Sequence, residues 1–326
     1  MKKSLIALAV LAASGAAMAQ SSVTLYGIAD VWVGRTSVTN AAGVKTNTSK
    51  LDSGGLGSSR LGFKGTEDLG GGLKAVFALE QAVGLDTGAG GTFNRQSYVG
   101  LAGGFGQVTF GNTWTAMDDI LGASNSGFDS GLSASNNVLA VQALYADNPG
   151  NTIKYVSPSF GGFSGGLSHS LDETAGGSAD ITDFSLSYGA GPVAANFAYQ
   201  LKNGATDVKL TALNGSYDLG MAKLLASYGQ SKGATFDGTV GANRKSTDFQ
   251  FGVDVPVSSA MTVSAGYAES KDEVAGVDGE KRTGYGLAVG YSLSKRTTTY
   301  AGFRQAKVKN SAAKDSVIAA GIRHTF

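Results

Sequence analysis

Apolar and small residues alternate along many stretches of this chain, and this two-residue period constrains the fold more than any other feature. Within residues 283–293, large apolar side chains occupy every second position and small residues occupy the positions between them. Residues 249–255 and 262–267 alternate in the same way. Because successive side chains of a β-strand point to opposite faces, each stretch predicts a strand with one apolar face and one small or polar face.

Such stretches recur along the chain and predict an all-β fold: a transmembrane antiparallel β-barrel of 16 strands. In this barrel the apolar faces meet lipid and the other faces line a water-filled lumen, whereas a soluble sandwich would place the polar faces outside. The predicted strands span residues 23–35, 58–68, 73–86, 93–102, 106–113, 151–160, 163–172, 180–190, 192–202, 207–218, 221–232, 244–255, 261–271, 282–294, 297–309 and 315–326.

The connections between these strands alternate in length, as they do in outer-membrane barrels, which have short periplasmic turns and longer extracellular loops. The even number of strands places both termini on the periplasmic side. Short turns are predicted at 70–72, 103–104, 161–162, 190–191, 219–220, 256–260 and 294–296, and longer loops at 36–57, 87–92, 113–150, 173–179, 203–206, 233–243, 272–281 and 310–314.

The first 19 residues have the pattern of a secretory signal peptide. Lys2 and Lys3 precede the apolar run 5–10, and the segment ends in the small-residue cleavage signal Ala17-Met18-Ala19. An uncleaved anchor is the alternative, but the run is shorter than the roughly 20 residues of a membrane-spanning helix. We therefore expect residues 1–19 to be removed and residues 20–326 to form one barrel domain.

Composition excludes several other classes of protein. The chain has no Cys, so disulfides do not hold it together, and its net charge of +1 gives no reason to expect a nucleic-acid partner. Beyond the leader no run of 18 apolar residues occurs, which excludes a helical membrane protein. A barrel remains compatible with a mean hydropathy of zero, because its two faces average out.

Several segments match a known family in order along the chain, most densely between residues 56 and 111. The matching segments are 23–30, 59–70, 94–101, 155–163 and the terminal Phe326. On these segments the chain resembles the trimeric general-diffusion porins of Gram-negative bacteria, especially the β-proteobacterial branch. The resemblance implies a homotrimer and a third extracellular loop folded into the lumen.

The same resemblance implies a location and partners. It places the chain in the outer membrane, as a channel for passive diffusion of small hydrophilic solutes and ions, with no cofactor. The partners it implies are two further copies of the chain, lipid and lipopolysaccharide around the loops, and the outer-membrane assembly machinery. That machinery would read the last strand, where Ile318, Ile322 and Phe326 share one apolar face.

The longest connection, residues 113–150, is the candidate for the inward loop. Connections of this length without strands are uncommon in compact domains and are usually functional. It has a short helix signal between Thr115 and Gly122 and no Lys or Arg; an ordinary solvated surface loop is the alternative. The candidate constriction acids are Asp118, Asp119 and Asp129, and the apolar residues that could pin the loop to the wall are Ile120, Leu121, Leu132 and Leu139.

Basic residues should face these acids across the pore. Arg60 and Lys64 share one face of their predicted strand, and Leu61 and Phe63 share the other. An Arg facing lipid at mid-membrane would cost about 2–4 kcal/mol, so Arg60 and Lys64 are expected to face the lumen. Arg95 joins them through the resemblance alone. Acids opposite bases would impose a transverse field on passing solutes, although each charge could instead be an ordinary solvated or interface residue.

Two departures from the family pattern leave the sign of ion selectivity open. Gly111-Asn112 occupies the end of the strand before the long loop, where the family commonly has a base. The Arg common before the Ser-Pro segment is also absent, and Lys154 is the nearest base. Fewer bases weaken the expectation of a strong anion preference.

An enzyme, a substrate-specific channel and a secreted adhesin are the competing functions. His169 lies between Ser168 and Ser170, but adjacent strand residues point to opposite faces, so it should not reach either hydroxyl. His324 is expected to be an interface residue. A specific channel would need a binding ladder, to which Tyr26 and Tyr300 could belong. An adhesin would not need loops sorted by length or a terminal Phe326.

Overall fold

Residues 22–177 and 179–326 form a closed antiparallel sheet in the computed structural model. The strands are β1 (Ser22–Thr39), β2 (Lys45–Ser53), β3 (Arg60–Gly70), β4 (Leu73–Ala82), β5 (Gln96–Gly103), β6 (Gly106–Asn112), β7 (Thr152–Val156), β8 (Phe163–Ser170), β9 (Ile181–Ala190), β10 (Val193–Lys202), β11 (Val208–Asp218), β12 (Lys223–Ala234), β13 (Val240–Pro256), β14 (Met261–Val274), β15 (Val277–Ser292), β16 (Thr297–Val308) and β17 (Lys314–Thr325).

These segments make a barrel of sixteen strands, because β2 and β3 are two halves of one strand. Both halves pair with β1, β2 with residues 31–39 and β3 with residues 22–28, and a bend over residues 54–59 separates them. The predicted sixteen-stranded barrel is therefore confirmed. What the sequence pattern did not show is the interruption in the second strand.

The barrel closes where the first and last strands meet. β1 pairs with β17 from Ile28 opposite Thr325 to Thr39 opposite Lys314. Below this ladder, Gly27 and Phe326 exchange two backbone hydrogen bonds of 3.1 and 3.2 Å. Closure leaves no sheet edge, which matters in a bilayer because lipid offers no partner for an exposed backbone N–H or C=O group.

The two faces of the wall differ as the alternation predicts. In β15, Tyr285, Leu287 and Tyr291 are exposed on the outer face, whereas Gly286 and Ala288 are buried on the inner face. Large apolar side chains are exposed around the outer wall in the same way on most other strands. An outer face of this kind is stable against lipid and would be a large apolar patch in water. It contradicts the soluble adhesin.

Three predicted loops turn out to be largely strand. Segment 36–57 contains the end of β1 and all of β2, and parts of 233–243 and 272–281 belong to β13, β14 and β15. β14 and β15 continue to a tight turn at Ala275-Gly276, where both residues have positive φ, as a two-residue hairpin turn requires. These extensions carry polar residues on both faces, so they lack the apolar alternation that marks the lipid-facing parts.

The predicted strand 151–160 was wrong at its end, because β7 stops at Val156. Pro158 has no N–H to donate to a ladder. Ser157 takes over the local pairing instead: its N–H donates to the carbonyl of Gly165 at 2.8 Å, and its Oγ accepts from the N–H of Gly165 at 2.8 Å.

Only short helices interrupt the described sheet, and all three lie between β6 and β7. They are α1 (Asp118–Leu121), α2 (Ser126–Asp129) and α3 (Ala140–Leu144). In α2, Gly127 and Phe128 have positive φ and are not helical. None of the helices in the described part of the chain is long and apolar enough to span a membrane. The predicted signal peptide 1–19 lies outside the described residues and stays a prediction.

A buried carboxylate holds the bend between β2 and β3. Asp30, on the inner face of β1, is fully buried and accepts hydrogen bonds from the backbone N–H groups of Gly55, Leu56 and Gly57 at 2.8–3.1 Å. The hydroxyl of Tyr300 donates a further bond of 2.5 Å to it. Four donors around one carboxylate fix the bend against the inner wall.

Asp30→Ala should therefore lower the free energy of unfolding by about 3 kcal/mol or more, since each buried donor left without a partner costs about 1–3 kcal/mol. Urea unfolding of the refolded protein in lipid vesicles measures this change. Asp52→Ala is the matched control in the same hairpin, because the Lys50–Asp52 ion pair is exposed and should contribute less than about 1 kcal/mol. Equal losses for the two variants would contradict the assigned role of Asp30.

Candidate functional site

The segment between β6 and β7 makes a hairpin-like excursion along the inner face of the wall. Its first arm, residues 114–130, is hydrogen-bonded to β8, β9, β11, β13 and β14. The hydrogen bonds that hold it join Ala116 N to Ser168 Oγ, Met117 N to Asp183 Oδ1, Asn214 Nδ2 to Ile120 O, Gln250 Nε2 to Ser124 O and Gly127 N to Ser264 Oγ, all at 2.6–3.0 Å.

The second arm, residues 134–147, returns past β10 to β13, nearer the end of the barrel that carries the long loops. Val141 N donates to Asp248 Oδ2 at 2.8 Å, two residues along β13 from the contact made by the first arm. Gln200 on β10 binds both backbone groups of Ala146: its Oε1 accepts from the N–H, and its Nε2 donates to the carbonyl oxygen. The arms are therefore stacked as two tiers on one side of the barrel.

Arg304 on β16 fastens the tip of the hairpin. Its guanidinium donates to the carbonyls of Gly131 and Asn136 at 3.1 Å each and to Asp315 at 2.6 Å. The N–H of Gly131 also donates to the carbonyl of Gly55 at 3.2 Å, so the tip touches the bend that Asp30 holds. Sequence reasoning missed Arg304, although Gly302 and Arg304 alternate with Phe303 in the same way that Gly62 and Lys64 alternate with Phe63.

Glycines on the inner face give the segment room to lie against the wall. A Cβ added to Gly284 or Gly286 on β15 would collide with the carbonyl oxygen of Ala134 or Leu132. The apolar residues expected to pin the segment are indeed buried, with exposed fractions of 2–8 %: Ile120, Leu121, Leu132 and Leu139. Thr115 is not the N-cap of α1, but its Oγ accepts from the N–H of Asp118 at 3.3 Å.

The three candidate acids have separate local partners. Asp118 accepts a hydrogen bond of 2.9 Å from the hydroxyl of Tyr145, and Asp129 accepts one of 2.6 Å from Asn125. Asp119 forms an ion pair of 2.6 Å with Lys154 on β7. Lys154, the base nearest to a missing family Arg, therefore neutralises one of the acids directly.

Burial changes the ionisation of these carboxyl groups. Burial raises the pKa of Asp118 to about 6, although the hydrogen bond from Tyr145 opposes the rise. Burial also raises the pKa of Asp129 above its ordinary value, against the bond from Asn125. With a pKa of about 6, Asp118 remains mostly ionised at neutral pH and takes up a proton as the pH falls below about 6.

The three candidate bases lie on the inner wall formed by β3 to β5. Glu80 on β4 links two of them, since its carboxylate lies 2.7 Å from Arg95 Nε and 3.9 Å from Arg60 Nε. Lys64 Nζ lies 5.1 Å from the centroid of the Tyr26 ring. Among the described residues, no ion pair joins these bases to Asp118, Asp119 or Asp129.

Two open cavities lie on the inner side of the wall. One of about 410 Å³ lies between the two arms and is lined by Asp118, Asp129, Tyr145 and amides of Asn125, Asn136 and Gln142. The other, of about 520 Å³, is lined by Arg60, Lys64, Tyr26, Glu80 and Tyr98. Negative and positive groups therefore line different spaces inside one closed barrel.

The sequence profile of the Gram-negative porins matches residues 5–311 of this chain. The chain belongs to the Gram-negative porin family. It is 37% identical to outer membrane porin protein 32 of Delftia acidovorans over 95% of this chain and 91% of that protein. It is also 31% identical to an outer membrane porin protein of Bordetella pertussis over the full length of both.

Solved structures agree with this assignment. An anion-selective porin from Comamonas acidovorans superimposes with a TM-score of 0.79 at 29% identity, covering 94% of this chain and all of that one. The chain is therefore an outer-membrane barrel channel, as the sequence predicted, and its family consists of channels rather than enzymes.

The histidines of this porin lie where strand geometry placed them. His169 points to the outer face and bonds Thr182 Oγ1 at 2.8 Å, while Ser168 bonds Ala116 on the inner face. His324 is exposed on the outer face, and its ring centroid lies 6.5 Å from that of Phe326. No cluster of metal-ligating side chains occurs within residues 22–177 and 179–326.

Of the two tyrosines suggested for a binding ladder, only Tyr26 borders an open cavity in this porin. Tyr300 is almost completely buried, with its hydroxyl bonded to Asp30, so it does not present a ring to passing solutes. Tyr26 borders the basic cavity beside Lys64. Tyr26 shares that cavity with Tyr98, whereas Tyr300 adds no ring to it, so the two tyrosines named from the sequence do not form a track together.

Asp118 should titrate near pH 6 in the folded porin, and Tyr145→Phe should raise its pKa further. The phenol donates to the ionised form of the carboxyl, so its loss leaves burial unopposed. Carbon-detected NMR of ¹³C-labelled aspartate in detergent measures both values, with Asp118→Asn used to assign the resonance. A pKa near 4 in the parent protein would contradict the buried setting of this carboxyl.

Proposed function

We propose that this porin is a general-diffusion channel whose residues 113–151 fold into the lumen and form a charged constriction. The observation that carries the proposal is the series of hydrogen bonds from both arms of the segment to inner-face side chains of β8 to β14 and β16. A segment fixed on one side leaves passage along the opposite wall, where β3 carries Arg60 and Lys64. Arg95 lies just before β5 at the edge of this passage, with its guanidinium 4.9 Å from the centroid of the Trp114 ring. Small hydrophilic solutes and ions would pass between the segment and this wall.

The contacts also support a rigid constriction rather than a mobile loop. Buried polar groups of the wall, Asp183, Gln200 and Asp248 among them, direct their hydrogen bonds to the backbone of the segment. Removing the segment would leave these groups without partners, at a cost of about 1–3 kcal/mol each. Such a loop would hold its shape as solutes pass.

The charge on the open wall supports a mild preference for anions. Asp119 is paired with Lys154, and Asp118 and Asp129 line the cavity between the two arms rather than the cavity beside the basic wall. On the other wall Glu80 offsets one charge, so that Arg60, Lys64 and Arg95 together leave a positive excess. The similarity to an anion-selective porin supports the same sign.

The assembly and its surroundings follow the family in this proposal. We expect a homotrimer in the outer membrane, with lipid and lipopolysaccharide around the wall. The assembly machinery would recognise the last strand, whose outer face ends in the exposed side chains of Ile322, His324 and Phe326. These partners rest on family resemblance and on the exposure of that strand.

Arg60→Gln/Lys64→Gln should shift the reversal potential in a KCl gradient toward cation selectivity, because it removes two positive charges from the lumen wall. Planar-bilayer recordings of the refolded porin measure the shift, and single-channel conductance shows that the pore remains open.

The matched control is Lys271→Gln/Lys307→Gln, which removes the same charge from the outer face of β14 and β16. That control should leave the reversal potential unchanged. The same shift in both double variants would contradict a specific role for Arg60 and Lys64, as would no shift in either.

A further inference from the structure

Three lysines form a row across the outer face of the wall, near its long-loop end. Lys209 on β11 lies directly opposite Lys232 on β12, and Lys232 lies directly opposite Lys245 on β13. Neighbouring strands are about 4.8 Å apart, so the row places three ammonium groups along roughly 10 Å of wall. Their alternation with the buried residues Leu210, Ser231 and Ser246 puts all three side chains on the outer face.

Like charges directly opposite each other on a sheet repel and destabilise the pairing. Within residues 22–177 and 179–326, neither Lys209 nor Lys232 has a carboxylate within ion-pair distance, and Lys245 reaches only Glu273 at 3.4 Å. Two outward lysines on the neighbouring strands β14 and β15 are neutralised: Lys271 pairs with Asp278 at 2.7 Å and Lys281 with Glu269. The row therefore has a positive excess that the described protein does not balance.

The surface next to the row changes from charged to apolar in two steps. The next outward-facing residues on the three strands, toward mid-membrane, are the cross-strand neighbours Thr211, Gln230 and Thr247. Beyond them lie Leu213, Tyr228 and Phe249, with 5.3 Å between the two ring centroids. Aromatic rings mark the interface of membrane barrels, so the lysines stand just outside the hydrocarbon region.

We propose that this row binds the phosphate groups of a phosphorylated glycolipid in the outer leaflet, with its acyl chains on the apolar wall below. The wall matches such a molecule layer by layer. The lysines lie at the level of the phosphates, the hydroxyl and amide groups lie below them, and the aromatic and aliphatic side chains lie at the level of the acyl chains. The long loops lie at this end of the barrel, which in an outer-membrane porin faces outward. The lysine row identifies the residues that would make the contact with lipopolysaccharide proposed above. It does not depend on how the lumen conducts ions.

The test is titration of detergent-solubilised porin with diphosphorylated lipid A, read by native mass spectrometry. Lys209→Gln/Lys232→Gln/Lys245→Gln should weaken binding by roughly 25-fold or more, because Lys209 and Lys232, which have no carboxylate partner among the described residues, should each contribute about fivefold near an anionic lipid surface. Lipid A stripped of its phosphates should bind the parent and the triple variant alike.

The matched control is Lys50→Gln/Lys271→Gln/Lys281→Gln, which removes the same charge from lysines that already have carboxylate partners. It should keep the affinity of the parent. An equal loss of affinity in both triple variants would mean that only net charge matters, and would overturn the site. Unchanged affinity in both variants would overturn it as well. A change in oligomeric state of the row variant without lipid A would point to a second copy as the occupant and overturn it too.

The thermal midpoint of the folded barrel gives a second readout, with the single variant Lys232→Gln used if the triple variant does not fold. In vesicles of phosphatidylcholine alone this variant should match or exceed the parent, since a repulsion is relieved. With lipid A added, the parent should be the more stable. The same order in both vesicles would contradict the proposal, while single-channel conductance reports separately on the pore.

Discussion

The need to pair every backbone N–H and C=O group within the protein, where lipid offers no partner, governs this structure. It requires the ladder to close, and closure joins Gly27 to Phe326 and β1 to β17. A closed ladder in turn separates two faces, one exposed to lipid and one enclosed. The apolar outer face and the glycine-rich inner face follow from that separation, and so does the space in which charged residues can act.

The enclosed side uses buried polar groups to hold chain segments against the wall. Asp30 fixes the bend between β2 and β3 with three hydrogen bonds and accepts a fourth from Tyr300 on β16. Arg304 fixes the tip of the segment between β6 and β7 with two of its three bonds. The two clamps meet where Gly131 bonds Gly55. The geometry of the lumen therefore depends on Asp30 and Arg304, two buried side chains that do not face passing solutes.

Sequence alone predicted the barrel, its strand number and the faces of Arg60 and Lys64, because lipid on one side imposes alternation that is visible residue by residue. It failed beyond the lipid zone, as in β2 and the β14–β15 hairpin, where polar residues occupy both faces. It identified Asp118 and Asp119 as charged but not their partners Tyr145 and Lys154, since pairing depends on the path of a long segment across the barrel. Arg304 could have been found by the same reasoning, since it alternates with Phe303 as Lys64 alternates with Phe63.

Residues 113–151 should lie in the path of the current, and the absence of Cys from the chain lets a single introduced thiol test this directly. Ala143→Cys places one thiol on an exposed position beside the cavity between the arms, and Asn47→Cys places one on the exposed hairpin of β2. The measurement is single-channel current before and after a bulky methanethiosulfonate reagent, with labelling verified by mass. We expect a stepwise fall in current for Ala143→Cys and none for Asn47→Cys. Complete labelling of Ala143→Cys with unchanged current would contradict the inward position of the segment.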